Sequence, residues 1–71
     1  MRKLSVVIAG RHSTSICLED EFLNLFKKIA ATKNMSINQL VTEIDANRTT
    51  ENLSSAIRIY VLKFVTKIPL N

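Results

Sequence analysis

The sequence predicts a mainly α fold with one short β-strand, and three observations carry that expectation. Residues Arg11 to Leu18 alternate, with Thr14, Ile16 and Leu18 on one side and Arg11, Ser13, Ser15 and Cys17 on the other. Three longer segments then place apolar residues at spacings of three and four, the period of a helix. Finally, a chain of 71 residues lies near the lower size limit for a stable single core. A lone strand with an apolar face needs a partner, and no later segment offers a matching strand. The expected partner is the same segment of a second copy, giving an intermolecular antiparallel two-stranded ribbon. Its polar face would suit the major groove of B-DNA, which admits such a ribbon.

The chain reads as one domain, residues 1–71. Residues 1–10 form an N-terminal arm in which Leu4, Val6 and Ile8 begin an alternation that Gly10 allows to bend. The strand, residues 11–18, follows. A first helix over 20–33 starts at Glu19, Asp20 and Glu21, whose carboxylates suit the positive end of the helix dipole. Its apolar stripe is Phe22, Leu25, Phe26, Ile29 and Ala30, and Asn34 suits the left-handed position after its end. A second helix over 36–47 opens with Ser36-Ile37-Asn38-Gln39, a capping box flanked by Met35 and Leu40 as a hydrophobic staple. Leu40, Val41 and Ile44 form its apolar face. The third helix, 52–67, uses Asn52 or Thr50 as its N-cap and carries Leu53, Ala56, Ile57, Tyr60, Val61 and Phe64 on one side, with Pro69 at or past its end.

Composition narrows the function. The net charge of +4 favours a polyanionic partner, nucleic acid or an acidic membrane surface. One cysteine and one histidine permit neither an intrachain disulfide nor a metal cluster, so oligomerisation is the stabilising aid that remains. The same two residues, with scattered carboxylates, cannot assemble a nucleophile, a base and an orienting group, which argues against an enzyme. No motif implies a cofactor or a small-molecule substrate. The apolar run from Leu4 to Ala9 is too short for a signal peptide, and Arg58, Lys63 and Lys67 interrupt the stretch Leu53 to Leu70, so a cytoplasmic location is expected.

The order of strand, acidic helix start, turn and Ser-capped second helix resembles the ribbon-helix-helix family of dimeric DNA-binding proteins. Within it, the chain looks most like a bacterial subgroup with an N-terminal Ile-x-Gly arm and an added third helix. The matching residues are Ile8-Ala9-Gly10, Thr14-Ser15-Ile16, Leu18-Glu19, Glu21-Phe22, Ile29-Ala30, Ser36-Ile37-Asn38, Leu40, Glu43-Ile44-Asp45, Arg48 and Asn52-Leu53-Ser54-Ser55-Ala56-Ile57-Arg58. The resemblance implies an intertwined homodimer, a sequence-specific double-stranded DNA-binding transcriptional regulator and, more narrowly, a repressor. It implies that Ser13, Ser15 and Cys17, with Arg11 at the strand start, face the DNA bases. It also implies that the start of the second helix docks a phosphate through Ser36, Ile37 and Asn38, with Lys33 and Asn34 assisting from the turn. Three residues depart from the family pattern: Asp20 stands where Pro is frequent, Asn34 where Gly is frequent, and Ser13 where a basic residue is frequent. The last leaves Arg11 to supply the cation for a bidentate guanine contact.

Competing readings remain open from sequence. The same fold could serve as the antitoxin of a toxin–antitoxin pair, with a toxin protein as an additional partner, and dimers could assemble further on DNA. A more distant alternative is a membrane-surface protein whose basic third helix lies on acidic lipid; burial of that helix's apolar face would count against it.

Overall fold

The structure is a computed structural model that describes residues 1–66. The expected helix end at Lys67 and the stop at Pro69 lie outside the described residues. Two strands, β1 (Arg2–Ile8) and β2 (His12–Leu18), precede three helices, α1 (Asp20–Thr32), α2 (Ile37–Asn47) and α3 (Leu53–Thr66).

The expectation of a single strand is corrected. The arm that alternates Leu4, Val6 and Ile8 is itself a strand, and it pairs antiparallel with β2 inside the same chain, from Arg2 opposite Leu18 to Ile8 opposite His12. The turn explains how. Ala9 and Gly10 take φ values of 54° and 68°, and the Arg11 N–H donates to the Ile8 carbonyl at 3.0 Å. Two successive positive-φ residues make the tight turn whose twist matches a right-handed hairpin. An Asn-Gly pair would have announced it, whereas Ala-Gly is a weak signal, because a Cβ in this region is unfavourable. Arg11 therefore lies in the turn, one residue before β2, rather than at the strand's first position.

One face of the hairpin rests on the helices. Val6, Ile16 and Leu18 are buried, and Leu4 and Ile8 are partly covered. The core continues through Leu23, Phe26, Ile29 and Ala30 of α1, Leu40, Val41 and Ile44 of α2, and Ala56, Ile57 and Val61 of α3. The buried face of α1 is turned toward Leu23 relative to the expected stripe. Phe22 is only half-buried and Leu25 is 37% exposed. In α3 the expected stripe packs inward, with Leu53, Tyr60 and Phe64 partly buried against the core. That burial counts against the membrane-surface reading, and no described helix is long and apolar enough to cross a membrane.

The helix ends are held by local hydrogen bonds. Past α1, the Met35 N–H donates to Ala30 and the Asn34 N–H to Ala31, while Asn34 sits at φ 57°. This is the paired 6→1 and 5→2 pattern of a Schellman motif with Asn at the left-handed position. Gly removes the Cβ penalty there, so Asn34→Gly is expected to raise stability by about 0.5 kcal/mol and the melting temperature by about 2–4 °C. Thermal denaturation followed by circular dichroism checks this, and a lower melting temperature would contradict it. The box at the start of α2 is complete: Ser36 Oγ accepts from the Gln39 N–H at 3.1 Å, and Gln39 Oε1 accepts from the Ser36 N–H at 2.8 Å. Asn52 caps α3, its Oδ1 accepting from the Ser55 N–H at 3.1 Å.

Candidate nucleic-acid interface

The outer face of the hairpin follows from its register. Residues directly opposite in an antiparallel pair point to the same side. The pairs Lys3–Cys17, Ser5–Ser15 and Val7–Ser13 alternate with the pairs that cover the core, so these six side chains share the outward face. All are exposed except Val7, which is half-buried. Ser13, Ser15 and Cys17 thus lie together on one face, and Arg11 stands exposed at the hairpin tip. Sequence reasoning does not reach Lys3, Ser5 and Val7, because without the turn at Ala9 and Gly10 the first ten residues have no pairing partner and hence no assigned outward face. Their signal was the same alternation that marks Leu4, Val6 and Ile8.

Charge is concentrated in the same element. Arg2, Lys3 and Arg11 are the charged residues of the first 18, and the first acid is Glu19. Three of the four net positive charges therefore belong to the hairpin. Arg2 is partly neutralised by Asp20 at 3.1 Å, in a pair whose side chains are both well exposed. Screening by solvent makes such a pair weak.

The two edges of the hairpin are finished differently. Along β1, the Val7 N–H donates to Asn38 Oδ1 at 3.1 Å and the Ala9 N–H to Thr42 Oγ1 at 2.9 Å. These contacts lay the first two turns of α2 against the β1 edge. Along β2, the Cys17 N–H donates to Ser54 Oγ at 3.1 Å and its carbonyl accepts from Arg58 Nη2 at 3.0 Å. The same guanidinium reaches Glu19 Oε1 through Nε at 2.8 Å. Ser54 and Arg58 of the Asn-Leu-Ser-Ser-Ala-Ile-Arg tract therefore fasten the end of β2 and the start of α1 to α3. Because backbone groups alternate inward and outward along an antiparallel strand, Ser13 and Ser15, at the same parity as Cys17, direct theirs to the open part of that edge.

Hydrogen bonding by Arg58, with a smaller contribution from the Glu19 backbone N–H, holds the Glu19 carboxyl below its ordinary value of 4.5. A carboxyl whose folded value is depressed adds stability that is present above its unfolded value and lost as pH falls through the folded one. The melting temperature is thus expected to drop as pH is lowered below about 4.5, and Glu19→Gln should flatten that drop. Melts from pH 7 to 3 on both proteins test it; parallel curves would contradict it.

The turn before α2 and the α2 start carry the expected phosphate-binding residues. Ser36 Oγ is engaged in the capping box, and its partner Gln39 returns to the Ser36 N–H. Of the first-turn donors this leaves the N–H groups of Ile37 and Asn38 with no acceptor inside the helix. Asn38 spends its Oδ1 on the Val7 N–H, which fixes this helix start beside the hairpin. Asn34 contributes its left-handed backbone to the turn. Lys33 turns the other way: its Nζ lies 2.9 Å from the Tyr60 hydroxyl, 3.4 Å from Glu43 Oε1 and 5.5 Å from the centre of the Tyr60 ring. That hydrogen bond to Tyr60 raises the Lys33 ammonium above its ordinary value, against a smaller opposing effect of desolvation. The structure thus brings Ser36, Ile37 and Asn38 to the hairpin, and directs the Lys33 charge toward α2 and α3.

A two-stranded ribbon, apolar beneath and polar and cationic above, with a helix start at its edge, is the class of arrangement seen in small β-ribbon proteins. A family model described as a ribbon-helix-helix domain matches residues 1–65. The chain belongs to the ribbon-helix-helix family, whose members are in general DNA-binding regulators or antitoxins and form dimers. Searches of curated proteins and of solved structures returned no match.

Proposed function

We propose that this protein is a sequence-specific, double-stranded DNA-binding transcriptional regulator, acting as a repressor and as a homodimer. The observation that carries the reading is the outward face of the hairpin, where Ser13, Ser15 and Cys17 stand exposed in a segment with three cations and no acid. Serine hydroxyls accept from or donate to several bases, and Arg11 at the tip can make a bidentate guanine contact worth about 1–3 kcal/mol of discrimination. The free N–H groups of Ile37 and Asn38, at the positive end of the α2 dipole, would receive a phosphate flanking the groove. Ser36 organises that anion site and Asn34 shapes the turn leading to it, whereas the Lys33 charge is held by Tyr60 and Glu43 away from it.

The second copy has a defined place to bind. Asn38 and Thr42 occupy the β1 edge at Val7 and Ala9, where α2 lies against it, whereas among the described residues β2 is fastened near Cys17 and keeps the outward backbone groups of Ser13 and Ser15 for pairing. An antiparallel match of two β2 strands would satisfy these groups and abut two polar faces. Such an open edge is a template for strand addition. This keeps the intermolecular ribbon while leaving β1 outside it.

Selection of bound duplexes from a random pool, repeated with Arg11→Ala and Ser15→Ala, tests the function. The parent should return one sequence, and each variant should lose preference at one position of each half-site. Absence of affinity for any duplex at low salt would sink the reading. A second reading, an antitoxin on the same fold, is favoured by Ile59 and Leu62 on the outward side of α3, 42% and 56% exposed, where a partner protein could bury them. A toxin gene beside this one, with its product co-purifying, distinguishes that role.

A further inference from the structure

We propose that β1 is part of the DNA-contacting surface, with Lys3 as the cation of the ribbon face and Ser5 as a contact beside it; this rests on the DNA-binding reading above. The argument is one of position. β2 carries Ser13 and Ser15, and the free amides of Ile37 and Asn38 sit at the start of α2. That helix start is fastened to the opposite edge of the hairpin, through the bonds from Val7 and Ala9 to Asn38 and Thr42. β1 therefore runs between the two features. A duplex that touches both the β2 hydroxyls and the α2 amides must pass over β1 and meet its outward residues, Lys3, Ser5 and Val7.

Those residues are suited to the meeting. Ser5 lies directly opposite Ser15 and Lys3 directly opposite Cys17, all four exposed on the same face. Adjacent strands are about 4.8 Å apart, so a duplex surface that reaches Ser15 is within one strand spacing of Ser5. Lys3 has no acidic residue on either strand to compete for it, in contrast to Arg2, which Asp20 engages. Its flexible stem can reach guanine O6 and N7 or a backbone phosphate at the groove wall. Val7, the apolar member of the face, can lie against a thymine methyl. The serine at position 13, a weak reader, then no longer leaves the ribbon without a cation, because one stands on the neighbouring strand.

Lys3 and Ser5 are exposed and outside the core, so replacing them leaves the fold intact, which thermal melts should verify. Binding to the duplex selected by the parent would be measured for Lys3→Ala, Lys3→Arg, Ser5→Ala and Lys28→Ala, the last removing an equal charge from the exposed side of α1. Lys3→Ala is expected to weaken binding about tenfold, Ser5→Ala about threefold, Lys28→Ala less than twofold, and Lys3→Arg to bind nearly as the parent does. If Lys3→Ala and Ser5→Ala match Lys28→Ala while Ser15→Ala and Arg11→Ala lose binding, β1 is not in the interface and the DNA-binding reading stands. If the parent itself binds no duplex, both fall together.

Discussion

Phe26→Ala is expected to lower the melting temperature by roughly 15–30 °C and to leave a substantial unfolded fraction at 37 °C. Phe26 is fully buried at the centre of α1, and the core it joins draws on both strands and all three helices. Truncating a buried Phe costs about 3–5 kcal/mol, the lost transfer free energy plus the cavity left behind. For a chain of 71 residues, total stability is only about 4–11 kcal/mol at about 0.05–0.15 kcal/mol per residue. One substitution thus removes about half of what holds the domain together. The temperature shift follows from about 4–8 °C per kcal/mol for a domain of this size. Thermal and urea denaturation by circular dichroism at two protein concentrations give the measurement. A fall of less than about 5 °C would contradict the central position of Phe26. Dependence of the parent's melting temperature on concentration would add that a second copy contributes to the same stability.

Much of the fold was legible in the sequence because its signals are local. Ser36 and Gln39 are three residues apart, so the capping box needs no knowledge of the rest of the chain. Asn34 at the left-handed position after α1 belongs to the same kind of signal, as does the parity that buries Ile16 and Leu18 and exposes Ser13, Ser15 and Cys17. The hairpin was not legible for a specific reason. Its turn forces Ala9 to φ 54°, a conformation that the sequence disguises, since Ala is normally a helix former. With the turn hidden, β1 looked like an arm and β2 like a strand lacking a partner in its own chain. The candidate interface was legible on the same terms. Residues of β2 were found by alternation, whereas Lys3 and Ser5 required the register. The direction taken by Lys33 required knowing that Tyr60, 27 residues on, packs beside it. Arg58 shows the same limit in reverse: its tract matches the family pattern in sequence, but its action on Cys17 and Glu19 spans about forty residues and exists only in the folded chain.

Ile37→Pro is expected to weaken duplex binding about tenfold while preserving the helix, and it separates an anion site from a mere cap. Ile37 is the first residue of α2, where proline is tolerated because the missing N–H has no acceptor within the helix. The preceding residue fits as well. Ser36 has φ −73° and ψ 161°, an extended conformation close to that favoured before proline. The capping box does not use the Ile37 N–H, since its bonds run between Ser36 and Gln39. Proline thus deletes one of the two free amides aimed at the proposed phosphate and leaves the other, at Asn38, in place. A charge-assisted bond of this kind contributes about 1.5–3 kcal/mol, of which water recovers part in the unbound protein. The cost of folding should stay near 1 kcal/mol, from the trimmed side chain of a half-buried residue. The selected sequence should not change, because a phosphate contact carries no base information. Unchanged salt dependence is also expected, since the lost donor bears no formal charge and the phosphate remains beside the helix dipole. Affinity equal to that of the parent would show that α2 is capped by Ser36 for stability alone, and that the ribbon holds DNA without it.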